Sequence, residues 1–294
     1  MEDDDPDPEG WDDWHPIHGT ESAETILQKR DALHNRLIQT GMPQHRIDIV
    51  MTAISNNIDI LRDPKAGDIT HFECSLDVVH NFREFHSNTK GGISEFESRI
   101  LAKTIAELWN SNCIEDSTAR VSSNIKLVPK PKSKDELRLC INFTRANKEI
   151  KSIDYPVPSI QNAFDKMKGA KLFSVIDLRK GYWSIPIRVK DRWITSFRTP
   201  QGFFQWKVLP MGIKTASPIF SQAVDQMLSK KYESQAFKDI MGKGADPHNF
   251  VFAYVDDIII FSKTEEEHSN HLADILRRIK EFGFRINNQK STFF

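Results

Sequence analysis

Apolar residues first recur at helical spacing in ETILQKRDALHNRLIQTG, residues 24–41, where Ile26, Leu27, Leu33, Leu37 and Ile38 fall on one face and Gly41 supplies a stop. PQHRIDIVMTAISNNIDIL, residues 43–61, does the same with Ile47, Val50, Met51, Ile54, Ile58 and Leu61. The two patterns predict a small helical module within residues 21–92. Its last part, residues 64–92, reads as irregular, because Pro64, Gly67 and the TKGG at 89–92 punctuate it. A third helix is predicted over about 93–112, ISEFESRILAKTIAELWNSN.

Beyond it the pattern shortens to strands and turns. NIKLVPKPKSKDELRLCINF reads as a hairpin with a lysine-rich tip, and AKLFSVIDLRKGYWSIPI and RWITSFRTPQGFFQWKVL read as strand pairs. Helical spacing returns at about 216–231 and 265–282, and no internal repeat is evident. Strands and helices mixed without regular β-α alternation argue an α+β fold. In FAYVDDIIIF, residues 252–261, two apolar half-runs flank Asp256 and Asp257, which predicts a hairpin with both carboxylates at its tip. A polar turn is one reading. A metal site is the other, because a tight hairpin favours Asn-Gly or Asp-Gly and two adjacent like charges repel unless a cation or solvent intervenes. Asp177 ends a second apolar strand, KLFSVIDL. A strand-end role and a metal role both expose it, but only the metal role requires the two strand ends to meet.

Composition narrows the function classes. The chain has 294 residues, 39% hydrophobic and 28% charged, and no apolar stretch near the length of a membrane span, so no membrane partner is expected. MEDDDPDPEG lacks the basic and apolar regions of a signal peptide, which predicts an intracellular protein. The cysteines, Cys74, Cys113 and Cys140, show no C-x-x-C spacing and argue a reducing compartment without zinc. Residues 1–20 hold eight acids and no Lys or Arg, which predicts an acidic disordered tail. Removing those eight leaves 40 basic against 33 acidic residues, an excess compatible with a polyanionic partner.

The blocks KLFSVIDLRKGYWSIPI, TSFRTPQGFFQWKVLPMGIKTASPIF and FAYVDDIIIFSKTEEEHSNHL, in that order, resemble the reverse transcriptases of gypsy-class LTR retrotransposons and their retroviral relatives, over about Ile93 to Phe294. The resemblance implies right-hand polymerase fingers (about 93–151 and 185–214) and palm (about 152–184 and 215–294), with an antiparallel palm sheet flanked by helices. It implies an RNA-directed DNA polymerase working on an RNA or DNA template with primer and deoxynucleoside triphosphates. Two Mg²⁺ ions, or Mn²⁺ in their place, would be held by Asp177, Asp256 and the Leu178 carbonyl, with Asp257 nearby.

The same resemblance implies that Tyr182 excludes a 2′-hydroxyl, although the residue reads equally as a core aromatic. It implies that Arg138 and one of Lys130, Lys132 and Lys134 contact the triphosphate, that Lys290 approaches it from the other side, and that Met211 and Gly212 form the floor under nucleotide and template. Several features depart from the family. INFTRAN replaces the usual DYRALN, so that a template contact is either lost or taken over by Arg145; ESQAFKDIMGKGADPHN resembles an insertion; and at STFF the family would continue into a thumb, so a thumbless chain is expected. The alternative is a retroelement-derived protein that has lost polymerase activity and binds nucleic acid or a protein partner. Family members work in cytoplasmic particles, and a nuclear location is equally open for a stray reading frame.

Overall fold

The computed structural model describes residues 21–86, 93–130, 133–156, 160–179, 181–229, 246–254 and 257–294. The acidic segment 1–20 and most of the insertion-like stretch lie outside the described residues. The helices are α1 (Ala23–Gln39), α2 (Gln44–Asn56), α3 (Glu95–Asn110), α4 (Thr144–Glu149), α5 (Ile160–Met167), α6 (Ala216–Leu228) and α7 (Glu265–Phe282). Local chemistry sets several of their ends. Ser94 with Glu97 and Thr264 with Glu267 form reciprocal capping boxes that open α3 and α7. The helical pattern expected through Leu61 breaks after Asn56. The Asn57 amide turns back onto the Ala53 carbonyl at 3.0 Å, and the chain continues as a 3₁₀ turn, Ile58–Leu61.

The strands are β1 (Ile114–Asp116), β2 (Asn124–Lys130), β3 (Ser133–Asn142), β4 (Leu172–Asp177), β5 (Phe197–Thr199), β6 (Gly202–Trp206), β7 (Val251–Tyr254) and β8 (Asp257–Ser262). All pairings between them are antiparallel: a central sheet β4-β8-β7, a second sheet β1-β6-β5 and the hairpin β2-β3. Mixed helices and antiparallel sheets are the α+β class. In the central sheet Ser174, Ile176, Ile258 and Ile260 are buried on one face, against which α7 packs. At one end of the opposite face Phe252, Phe261 and Ile259 meet Ala163 and Met167 of α5. Period-two alternation thus gives the sheet two different faces.

Of the two expected strand pairs one is corrected, and the other forms with a later start. In residues 170–187 only β4 forms; Gly181–Ser184 is a 3₁₀ turn, and Pro186 and Ile187 make single bridges to Val208 and Cys74. Trp183, Ser184 and Ile185 are all buried, so this run lies across the core instead of pairing with half-exposed β4. In residues 192–209 the first part is likewise a 3₁₀ segment, Val189–Thr195, and the pair is β5 with β6.

The N-terminal helices do not stand apart as a module. Leu33, Leu37, Ile47, Val50 and Ile54 belong to one core with Leu272, Ile275 and Ile286. The C-terminal stretch runs along the other edge of β4, with bridges Leu178–Ile286 and Val175–Thr292. Among the described residues no helix is long and apolar enough to cross a membrane.

Candidate active site

The register of the central sheet brings the two predicted strand ends together. β4 and β8 pair from Leu172↔Ser262 to Asp177↔Asp257, and β7 closes on β8 at Tyr254↔Asp257. Asp177 and Asp257 therefore stand opposite each other at the end of a mostly apolar ladder, on the face away from buried Ile176 and Ile258. Asp256, the neighbour of Asp257 in the chain, lies outside the described residues. Partial loss of water pushes the Asp257 carboxyl above the usual carboxylate range, and the Lys290 charge works in the opposite direction. A cation beside Asp257 would act in the same sense as Lys290.

The backbone of Asp177 is fixed on both sides by the C-terminal stretch. Its N–H donates to Ser291 Oγ at 3.1 Å, and its carbonyl accepts from the Asn287 N–H at 2.9 Å. The bridge between Leu178 and Ile286 is made by the Asn287 N–H and by the Arg179 N–H, which donates to the Arg285 carbonyl at 2.9 Å, so it does not engage the Leu178 carbonyl. Two facing carboxylates on rigid strands are a hard-oxygen donor set and fit Mg²⁺ or Mn²⁺. Among the described residues no three His, Cys, Asp or Glu side chains gather as a metal cage.

Tyr182 lies in the 3₁₀ turn after β4, its ring 5.1 Å from that of Phe220 and its hydroxyl 3.4 Å from Ser217 Oγ. Gly181 allows this packing, since a Cβ there would lie 2.4 Å from the Phe220 ring. Met211 is 37% exposed, and Gly212 takes φ +88°, a conformation that favours glycine. A Cβ at Gly212 would meet Phe143 only at 3.5 Å, so within the chain the glycine answers a conformational need, not a tight approach. Asn147 brackets this turn: its amide donates to the Gly212 carbonyl at 2.8 Å, and its Oδ1 accepts from the Lys214 N–H at 2.9 Å.

The triphosphate residues are less uniform. Arg138, opposite Val128 in the hairpin, is 4% exposed, so its guanidinium is enclosed, where an open phosphate contact was expected. Lys132 and the side chains of Lys130 and Lys134 lie outside the described residues. Exposed Lys290 joins the Asp177–Asp257 end of the sheet. Arg145 donates to the His86 carbonyl at 3.1 Å. Sequence reasoning does not single out Asn147, Asn287 or Ser291; their one signal is that each is a small polar residue beside a predicted site block.

Residues 128–294, more than half of the chain, match the family described as reverse transcriptase (RNA-dependent DNA polymerase). The enzymatic polyprotein of Figwort mosaic virus is 30% identical over 195 residues, which are 66% of this chain and 27% of the relative. The Tf2-3 transposon polyprotein of Schizosaccharomyces pombe is 32% identical over 183 residues, 62% of this chain and 12% of the relative. The chain thus spans about a quarter or less of these curated relatives. Among solved structures, the foamy viral protease-reverse transcriptase in complex with RNA/DNA hybrid superposes with a TM-score of 0.64 at 20% identity, over 95% of this chain and 35% of that one. Its complex with double-stranded DNA gives 0.68 at 18%, over 94% and 51%. These likenesses support the same fold, fingers and palm, and together with the matched region they lead to one conclusion: this chain belongs to the reverse transcriptase (RNA-dependent DNA polymerase) family.

Proposed function

We propose that the chain is the polymerising part of an RNA-directed DNA polymerase, joining a deoxynucleotide to a primer 3′-hydroxyl opposite a template base. The observation that carries this reading is the Asp177↔Asp257 pair at the end of the apolar central sheet. A turn residue needs no carboxylate from another strand opposite it; a divalent-metal site does.

Asp177 and Asp257, with Asp256 and the Leu178 carbonyl, would hold two Mg²⁺ or Mn²⁺ ions. Such ions, when bound, would supply positive charge to stabilise the attacking and leaving oxygens of an in-line displacement. The rest falls to the protein's own groups. The Tyr182 ring, backed by Phe220, closes the space a ribose 2′-hydroxyl would occupy. Lys290 neutralises phosphate charge and can supply a proton to the departing pyrophosphate. Because Arg138 is enclosed, phosphate binding at the fingers passes first to Lys130, Lys132 and Lys134. The Met211–Gly212 turn, held by Asn147, floors the nucleotide and template. The solved relatives in complex with RNA/DNA hybrid and with double-stranded DNA support a primed template as partner. Such a partner is gripped through phosphates, so binding should weaken steeply with salt.

Primer extension on an RNA template with Mg²⁺ at low salt tests the reading. Deoxynucleotides should be added, ribonucleotides should not, and Asp177→Asn should abolish the product. Synthesis that survives Asp177→Asn would overturn it.

A further inference from the structure

We propose that Arg36, on the N-terminal helix α1, is a positioning residue for Asp177 and Lys290, an inference that rests on the metal-site reading above. Arg36 lies far in sequence from either residue, outside the region that matches the family. Its guanidinium donates Nη1 to the Gln289 carbonyl at 3.2 Å and Nη2 to the Ser291 carbonyl at 2.8 Å. These are the carbonyls on either side of Lys290. One planar fork thus fixes the peptide groups that present the lysine.

The same fork reaches Asp177 through Ser291. The Ser291 hydroxyl donates to the Asn287 carbonyl at 2.7 Å and accepts the Asp177 N–H at 3.1 Å, while the Asn287 N–H donates to the Asp177 carbonyl at 2.9 Å. Ser291 is fully buried, so its hydroxyl has a fixed set of partners and transmits the position of its own backbone. Two further contacts make α1 a brace along this edge. Asn288 donates its amide to the Lys29 carbonyl at 3.2 Å, and Asp63 pairs with both Lys29 and Arg179, the latter two residues after Asp177. Burial draws the Arg36 guanidinium down from its ordinary pKa, as expected of a group partly withdrawn from water into a packed joint.

A metal carboxylate is only as well aimed as the shell behind it, and loss of such support weakens metal affinity about 10- to 100-fold. The site's geometry would then depend on residues that carry no polymerase motif. Lys cannot replace Arg36, since a single ammonium nitrogen does not reproduce two separate nitrogens that each reach one of the two carbonyls.

The test uses the full chain with Mn²⁺ alone as probe, free Mn²⁺ being read by electron paramagnetic resonance and amide hydrogen exchange being followed in parallel. Arg36→Gln, and from the other side of the joint Ser291→Ala, should each weaken Mn²⁺ binding about tenfold or more. Both should speed exchange at the Asp177 amide and over residues 285–292 but not in β7, and Arg36→Lys should behave like Arg36→Gln. A folded Arg36→Gln protein with unchanged Mn²⁺ affinity, or with unchanged exchange at Asp177, overturns the proposal. So does loss of the whole fold in both variants, which is the behaviour of a strut. Asp177→Asn is the separate control: if it binds Mn²⁺ as the wild type does, the metal reading fails, and exchange at Asp177 alone decides whether Arg36 positions that strand.

Discussion

Tyr182 packs in the core, and the sugar-gate role proposed for it can be tested separately from that packing. Its ring is half-buried against Phe220, as the core reading of the sequence requires, and it keeps exposed surface on which the proposed sugar contact depends. Tyr182→Phe keeps that ring and removes the hydroxyl, with its long 3.4 Å contact to Ser217, so nucleotide choice should hardly change. Tyr182→Ala removes the wall, and ribonucleotide incorporation relative to deoxynucleotide should rise about 10- to 100-fold in single-nucleotide extension. An unchanged ratio would return Tyr182 to the core alone. Tyr182 was singled out by the family resemblance, since five residues after Asp177 it reads from the sequence alone equally as a core aromatic. Phe220, which holds it, was not, because it stands 38 positions further on and only the fold makes them neighbours.

Helix and strand periods made α1, α3, α7 and the β7-β8 hairpin readable, since each carries its own pattern and stop signals. What stayed hidden depends on partners remote in sequence: β1 pairs with β6, and α5 is defined by what it covers. The start of α7 is the sharpest case. EEEHSNHL reads as a solvated first turn, yet His268 and His271 are buried, and the Ser262 hydroxyl lies 2.9 Å and 2.8 Å from their Nδ1 atoms. His268 Nε2 reaches Ser174 at 2.7 Å. The single Ser262 proton can be donated to only one of the two Nδ1 atoms, and the ring that accepts it must be neutral. Burial pushes each histidine down to about 4, with Arg46 adding to the shift at His268 and Glu267 and Asp274 opposing it at His271.

Between pH 6.5 and 4 the folded chain therefore binds fewer protons than the unfolded one. This contribution to stability is present in full above pH 6.5 and is lost as pH falls towards 4. Urea unfolding should show a loss of roughly 2 kcal/mol per histidine between pH 7.5 and pH 5. His268→Gln should remove about half of that pH dependence, and a variant with the full slope would rule out the histidines as its source. The same helix anchors α6: fully buried Arg278 donates to Asp274 at 2.7 Å and to the Met227 and Ser229 carbonyls at 3.2 and 2.8 Å. Arg278→Met leaves Asp274 with Arg277 alone and should lower stability by about 3 kcal/mol in the same urea experiment.

At the scale of the molecule, sequence blocks and physical unit have different boundaries. The family match begins at residue 128, because chemistry constrains residue type only around the carboxylates and the nucleotide, whereas packing constrains only apolar character. The core begins at Leu33 and takes in Leu37, Ile47, Val50, Ile54, Ile60, Leu61 and Ile69 before the first motif is reached. Eight buried aliphatic side chains at about 1.5 kcal/mol or more each contribute roughly 12 kcal/mol of burial before chain entropy is subtracted, a large favourable term for a fold whose net stability is about 5–15 kcal/mol. The same segment supplies the Ile60 carbonyl that accepts the Ile286 N–H at 2.9 Å, so its removal also frees the strand beside Asp177. A chain begun at Ile93 keeps every polymerase motif and should still fail to fold as one cooperative unit. Its urea transition should be broad, with a reduced m-value and dye-accessible apolar surface. A sharp transition with the m-value expected for its length would show instead that residues 21–86 are an appendage and that the motif blocks are the folding unit.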